Sequence, residues 1–119
     1  MKNYRELHVW QKAHQLVLDV YAVTRDFPAN ELYGLVSQMR RCAVSIPSNI
    51  AEGCGRNGDA ELARFCDIAS GSASELDYQL TLARDLNYIH EDVHQRLAGQ
   101  LSEARRMLTG FLQAVRPQR

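Results

Sequence analysis

The segment from Glu31 to Gly53 carries an apolar stripe with helical spacing and an internal proline, and this combination constrains the fold most. Apolar side chains recur every three or four residues, which places them on one helix face built for burial. The stripe consists of Leu32, Leu35, Val36, Met39, Cys42, Ala43, Ile46 and Ile50. Because its phase continues through Ile46 to Ile50, we expect one continuous helix that is kinked near Pro47.

Three further segments have the same amphipathic spacing. The first helix is predicted from Leu7 to Asp26, because Phe27-Pro28 ends it. The third helix is predicted from an N-cap at Asp59 to Asn87. The fourth helix starts near His90 and stops at Arg116-Pro117. Gly53 is the expected C-cap of the second helix, and Gly55 to Gly58 form a loop. The pattern predicts an all-α, up-down-up-down antiparallel four-helix bundle, with residues 1–119 as one domain.

Charge and arginine content limit the binding partners. Fourteen Lys plus Arg balance fourteen Asp plus Glu, so the chain as a whole does not attract nucleic acid electrostatically. Twelve of the basic residues are arginine, whose forked donors suit phosphate or carboxylate. Any anion site must therefore be a local patch.

The cysteines and the lack of long apolar runs suggest a cytoplasmic protein. Cys42, Cys54 and Cys66 are odd in number and form no CxxC pair, which is typical of reduced thiols. The first residues contain no signal-peptide core, and no run approaches the roughly 18 apolar residues of a membrane span. We therefore expect a soluble, cytoplasmic chain with no membrane association.

Some apolar residues lie outside the stripe that one bundle core requires. Tyr33 and Val44 fall about a quarter turn away from it on the second helix, and Tyr78 and Leu82 lie on the far side of the third. This surplus predicts a homo-oligomer in which Tyr33, Val44, Tyr78 and Leu82 lose solvent exposure.

Five arginines are candidates for contact with nucleic acid or with a protein partner, because we expect them to lack a nearby acid. They are Arg40, Arg41, Arg56, Arg105 and Arg106. For Arg40, an ion pair across a subunit interface is the competing interpretation. Arg64, in contrast, has Glu61 one turn away and should form a surface pair.

The chain offers little for catalysis. His90 to His94, HEDVH, fits the zinc pattern HExxH, but Leu97 and Gln100 stand where the extended motif requires glycine and histidine. Gly53 to Gly58 lacks the lysine and hydroxyl residue of a phosphate loop, so it is better explained as a helix connector. Cys54 could be exposed there, yet nothing nearby lowers its pKa. We expect no metal, no cofactor, no small-molecule substrate and no enzymatic activity.

The longest motif is QMRRCAVSIPSNIAEG, from Gln38 to Gly53. With Val9-Trp10, Phe27-Pro28 and the run from Leu86 to Ile89, it resembles the four-helix-bundle family of 23S rRNA intervening-sequence proteins. The chain departs from the family pattern at Cys42, where alanine is common, and at Cys54, where serine or tyrosine is usual.

The resemblance implies more than the residue pattern does. Relatives assemble as ring-shaped homopentamers, and a similar accessory protein of diversity-generating retroelements holds a reverse transcriptase and its RNA. The implied function is a non-enzymatic oligomeric scaffold, likewise a pentamer, associated with RNA or a ribonucleoprotein. A protein-only adaptor ring that binds no nucleic acid is the alternative, and the sequence leaves both open.

Overall fold

The computed structural model describes residues 3–116, which form an elongated bundle of 46 × 23 × 23 Å. Its four long helices are α1 (His8–Thr24), α2 (Ser37–Cys54), α3 (Asp59–Asp85) and α4 (Glu91–Val115). A 3₁₀ turn, Tyr4–Glu6, precedes α1, and a 3₁₀ turn at Ala29–Glu31 followed by a π turn at Leu32–Val36 leads into α2. No strand occurs within the described range, so the predicted all-α class is confirmed.

Contacts between the helices establish the antiparallel order. Arg40, early in α2, reaches Tyr21 and Thr24 near the end of α1, and Arg116 at the end of α4 reaches Asp67 near the start of α3. Helices α2 and α3 meet at mid-length, where the hydroxyls of Ser45 and Ser72 are 2.8 Å apart. Helix α4 also packs against α1, so the four helices form a closed square in chain order.

The core lies on the predicted apolar stripes. The largest fully buried side chains come from all four helices and are Leu16, Val20, Met39, Ile50, Cys66, Leu76, Leu80, Leu97, Leu101 and Leu108. Leu32 was assigned to the buried stripe, but 48% of its surface is exposed. The backbone at Gly34 is non-helical, with φ −110° and ψ −111°, and this break shifts the helical phase upstream of it.

Helix α2 continues through Pro47, which is buried, as the phase of the stripe predicted. The kink expected near Pro47 stays a prediction, and the non-helical backbone of this region lies at Gly34. The non-helical residue Gly34 lies beside Glu31, whose carboxylate accepts a hydrogen bond of 3.2 Å from the Leu35 N–H. A Cβ atom at position 34 would lie 2.8 Å from that carboxylate. Glycine therefore allows the chain to enter α2 at this angle.

Two predicted caps differ from the structure. Gly53 is not the C-cap of α2, because the helix extends to Cys54 and Gly55 takes that position. Gly53 is instead the point of close approach to α3, where a Cβ would lie 2.9 Å from Leu62 Cδ1. Asp59 is the first residue of α3 rather than its N-cap; Gly58 is the N-cap, with a φ of 87° that favours glycine.

Candidate interaction surfaces

The α1–α2 groove is an open depression of about 540 Å³ between α1 and the N-terminal half of α2. Two predicted interface residues, Tyr33 and Val44, line this groove together. Both are exposed to solvent, Tyr33 at 94% and Val44 at 37%. The lining residues are Tyr21, Leu32, Tyr33, Val36, Ser37, Arg40, Arg41, Val44 and Ser45. Val44 also lines an adjoining depression beside Trp10 and Pro47, so the apolar surface continues along α2.

The two arginines of the α1–α2 groove have different roles. Arg40 donates from Nε to Thr24 Oγ1 at 2.9 Å and from Nη2 to the Tyr21 carbonyl at 3.3 Å, and its guanidinium lies 4.5 Å from the centre of the Tyr21 ring. Helix α1 therefore holds Arg40. Arg41 is exposed and makes no hydrogen bond or ion pair within residues 3–116. The predicted RNA contacts and the predicted subunit contacts of α2 thus share one surface.

The α3–α4 groove, of about 600 Å³, contains Arg105 and Arg106. Arg105 donates to Ser74 Oγ at 3.1 Å and lies 3.9 Å from an Asp77 carboxylate oxygen. Arg106 donates to Ser102 Oγ at 3.4 Å. Because Asp77 also lines this groove, its charge is mixed.

The expectation that all five arginines lack a nearby acid is wrong for two of them. Arg56 lies 3.3 Å from Glu52, one helical turn earlier, and Arg105 faces Asp77 on the neighbouring helix. The Glu52 pairing was readable from the four-residue spacing, whereas the Asp77 pairing requires the packing of α3 on α4. The arginines lie in three separate places, so one chain presents no continuous basic patch made of all five. Arg64 pairs with Glu61 as predicted.

The α3 outer face is a second exposed surface and consists of Ile68, Gly71, Glu75 and Tyr78. Tyr78 is 64% exposed, as its position off the core stripe indicated, and Ile68 is 43% exposed. Sequence reasoning did not select Ile68. Leu82, predicted on this side, is half-buried and packs against the core of its own chain.

Cys42, Cys54 and Cys66 are all buried, so the alternative of an exposed Cys54 in the connector is wrong. Burial, followed by a hydrogen bond to Glu75, raises the pKa of Cys42 to about 11. Burial also raises the pKa of Cys66 to about 11. These two thiols remain protonated at neutral pH and are therefore poor nucleophiles.

The HEDVH segment forms the beginning of α4. His90 is the exposed N-cap, and its carbonyl accepts a hydrogen bond of 3.0 Å from the His94 N–H. Both ring nitrogens of His94 are buried and have no hydrogen-bond partner among the described residues. Within residues 3–116, no three His, Cys, Asp or Glu side chains converge as a metal site would require.

Comparison with known proteins identifies the family. The model of the 23S rRNA-intervening sequence protein family matches residues 5–110. A crystal structure of a protein of unknown function from the S23 ribosomal protein family of Bacteroides thetaiotaomicron is similar, with a TM-score of 0.82 and 20% sequence identity, covering 88% of this chain and 95% of that one. At this identity the likeness shows a shared fold.

No curated protein matches the sequence significantly. None of the helices described is both long and apolar enough to cross a membrane. The family match covers nearly the whole of the described bundle, including α1, α2, α3 and most of α4. The chain belongs to the 23S rRNA-intervening sequence protein family.

Proposed function

We propose that this protein is a non-enzymatic, homo-oligomeric helical scaffold. The observation that carries the proposal is the α1–α2 groove, in which Leu32, Tyr33 and Val44 expose apolar surface that their own fold leaves uncovered. A contiguous exposed apolar patch of this kind is typical of a protein contact site. A pentamer is the expected assembly, on the strength of the resemblance to ring-forming relatives.

The state of the chemically reactive side chains supports the non-enzymatic part of the proposal. Burial raises the pKa of Cys42 and of Cys66, which disfavours their nucleophilic thiolate forms. The ring nitrogens of His94 are buried, so proton transfer to a substrate or coordination of a metal would require the side chain to move. These residues therefore fit a protein that binds partners through its surface better than one that catalyses a reaction.

The test compares two leucines with nearly equal exposure. Leu32, 48% exposed, lies in the α1–α2 groove, whereas Leu18, 49% exposed, lies on α1 and is not part of the groove lining. We expect light scattering at micromolar concentration to give the mass of an oligomer for the wild type and for Leu18→Asp, and a lower mass for Leu32→Asp. A monomeric wild type would refute the scaffold proposal.

Association with RNA is the second candidate, and the α3–α4 groove favours it. Arg106 is exposed there and bonds only a serine hydroxyl among the described residues, so its charge is available to a phosphate. In a ring each weak site is repeated, and linked sites raise avidity by roughly 10²- to 10⁴-fold. If RNA is not bound, the scaffold is a protein-only adaptor.

A further inference from the structure

The α1–α2 groove and the α3 outer face are two separate surfaces, carried by different helices. Helices α1 and α3 are diagonal in the square bundle, since each packs against α2 and α4. One surface is concave and the other is the convex side of a single helix. A contact between two such unlike surfaces, repeated from copy to copy, produces a closed ring when the rotation allows it.

The charges of the two surfaces are complementary. Arg41 is exposed at the α1–α2 groove and has no acidic partner within the described part of its own chain. A partner that buries this groove must supply an acid, because a buried cation without a partner is costly. Glu75 is exposed at the centre of the α3 outer face, where it accepts from the Cys42 thiol and, at a long 3.4 Å, from the Gln79 side chain. No cation among the described residues forms an ion pair with it.

The shapes also agree. Ile68 to Tyr78 extends for roughly 15 Å at about 1.5 Å per residue. Tyr33 to Val44 covers a similar number of residues across the π turn and the first half of α2. Gly71, between Ile68 and Tyr78, is exposed, and a Cβ there would meet none of the described atoms within 4 Å, apart from its chain neighbours and the backbone of its own helix. The fold of the single chain therefore does not explain a glycine inside α3, where alanine is the better helix former. Gly99 and Gly110 of α4 are equally open, so it is the position of Gly71 between Ile68 and Tyr78 that makes it the point of close approach.

We infer that the α1–α2 groove of one copy receives the α3 outer face of a second copy, with Arg41 paired to Glu75 of the partner subunit and the closest approach at Gly71. The inference rests on the proposed homo-oligomer and adds which surfaces meet. Leu32, Tyr33 and Val44 then cover Ile68 and Tyr78 of the partner subunit.

A charge exchange tests the pairing. Arg41→Glu and Glu75→Arg should each raise the apparent dissociation constant of the oligomer roughly tenfold or more, because each places like charges together at the interface. The double variant restores opposite charges and should recover most of the wild-type assembly. Arg96→Glu, which makes the same change of charge at an exposed position of α4, should leave the dissociation constant unchanged.

A glycine pair tests the close approach independently of charge. Gly71→Ala and Gly99→Ala each add a methyl group at an exposed position inside a helix, with nothing of the same chain within 4 Å. Gly71→Ala should weaken assembly severalfold, and Gly99→Ala should not. Circular dichroism of each variant checks that the bundle is folded.

The outcomes separate the two claims. A wild type that is monomeric at micromolar concentration removes both the scaffold and this interface. A wild-type oligomer whose mass is insensitive to Arg41→Glu and Glu75→Arg keeps the scaffold and overturns the pairing. A double variant that assembles no better than the single variants also overturns the pairing, since restoring opposite charge should restore the contact.

Discussion

At the scale of single residues, the most informative contact joins Tyr88 to Glu31. The Tyr88 hydroxyl donates to Glu31 Oε2 at 2.7 Å, while Glu31 Oε1 accepts from the Leu35 N–H. These two bonds hold the pKa of Glu31 below its ordinary value, and the bond from Tyr88 has the larger effect. The bond between Tyr88 and Glu31 also raises the pKa of Tyr88. The contact ties the α3–α4 connection to the entry of α2.

Tyr88→Phe should lower the melting temperature at neutral pH. Because the folded state depresses the pKa of Glu31, this carboxylate stabilises the fold above its ordinary pKa and loses that effect as the pH falls through the folded value. The difference between wild type and variant should therefore shrink in acid. It should also shrink as the pH rises through the raised pKa of Tyr88.

Thermal melts across pH measure this effect, with Tyr4→Phe as the control. Tyr4 contacts Trp10 through its ring, which phenylalanine retains. A Tyr88→Phe deficit that is equally large at low and neutral pH would contradict the role of the Glu31 charge.

At the scale of elements, the α2–α3 pair is the most extensive contact in the bundle, and Gly53 permits it. A Cβ at position 53 would lie 2.9 Å from Leu62 Cδ1 and 3.0 Å from Phe65 Cβ. The Ser45–Ser72 bond and the Cys42, Glu75 and Gln79 cluster join the same two helices further along. These contacts fix the relative position of α2 and α3, and with it the separation of the two exposed surfaces.

Gly53→Ala should destabilise the fold by about 1–3 kcal/mol, the usual cost of overpacking a tight site. Gly99→Ala, at an exposed position inside α4 with open space around it, should stabilise by roughly 0.5–1 kcal/mol because alanine is the better helix former. Urea unfolding of both variants provides the comparison. Equal effects of the two substitutions would show that Gly53 does not set the helix approach.

At the scale of the whole molecule, a chain with no net charge must bind any polyanion through local sites. Two of the five candidate arginines, Arg56 and Arg105, already have acids nearby, and Arg40 is held against α1. Arg41 lies in the proposed interface. The α3–α4 groove is therefore the surface on which an assembled ring would repeat exposed arginines.

Replacing Arg105 and Arg106 together by glutamate should weaken retention of single-stranded RNA at low salt without changing the oligomer. Each lost phosphate contact should reduce the slope of log affinity against log salt by about 0.7. Filter binding over a salt series measures this slope. Arg25→Glu, at an exposed position just after α1, is the charge control.

Two results would remove the RNA association. One is equal retention by wild type and the double variant, and the other is no retention by wild type at low ionic strength. Either result, with an intact oligomer, leaves the protein-only adaptor.

The residue pattern was enough to predict the four helices, their short connections and most of the buried face of each, Leu32 being an exception. Hydrophobic spacing and the Phe27-Pro28 signal act within a few residues, so they could be interpreted locally. The caps predicted at Gly53 and Asp59 lie at Gly55 and Gly58 in the structure. The same pattern identified Tyr33, Val44 and Tyr78 as apolar residues outside the core, because a single bundle core accounts for only one face of each helix. The oligomer that they predict remains a prediction.

Which groups meet across helices depends on long-range packing and could not be predicted from the residue pattern. Arg40 donates a hydrogen bond to Thr24, and Arg105 faces Asp77. Arg116 donates to the two carboxylate oxygens of Asp67 at 2.7 and 2.8 Å. These pairs are far apart in the chain and depend on how the helices are rotated against one another. The exposure of Leu32 followed from the non-helical backbone at Gly34, and Gly53 proved to be a packing site rather than a cap. Periodicity identifies the buried side of a helix, but long-range packing determines its partners and the surfaces that remain open.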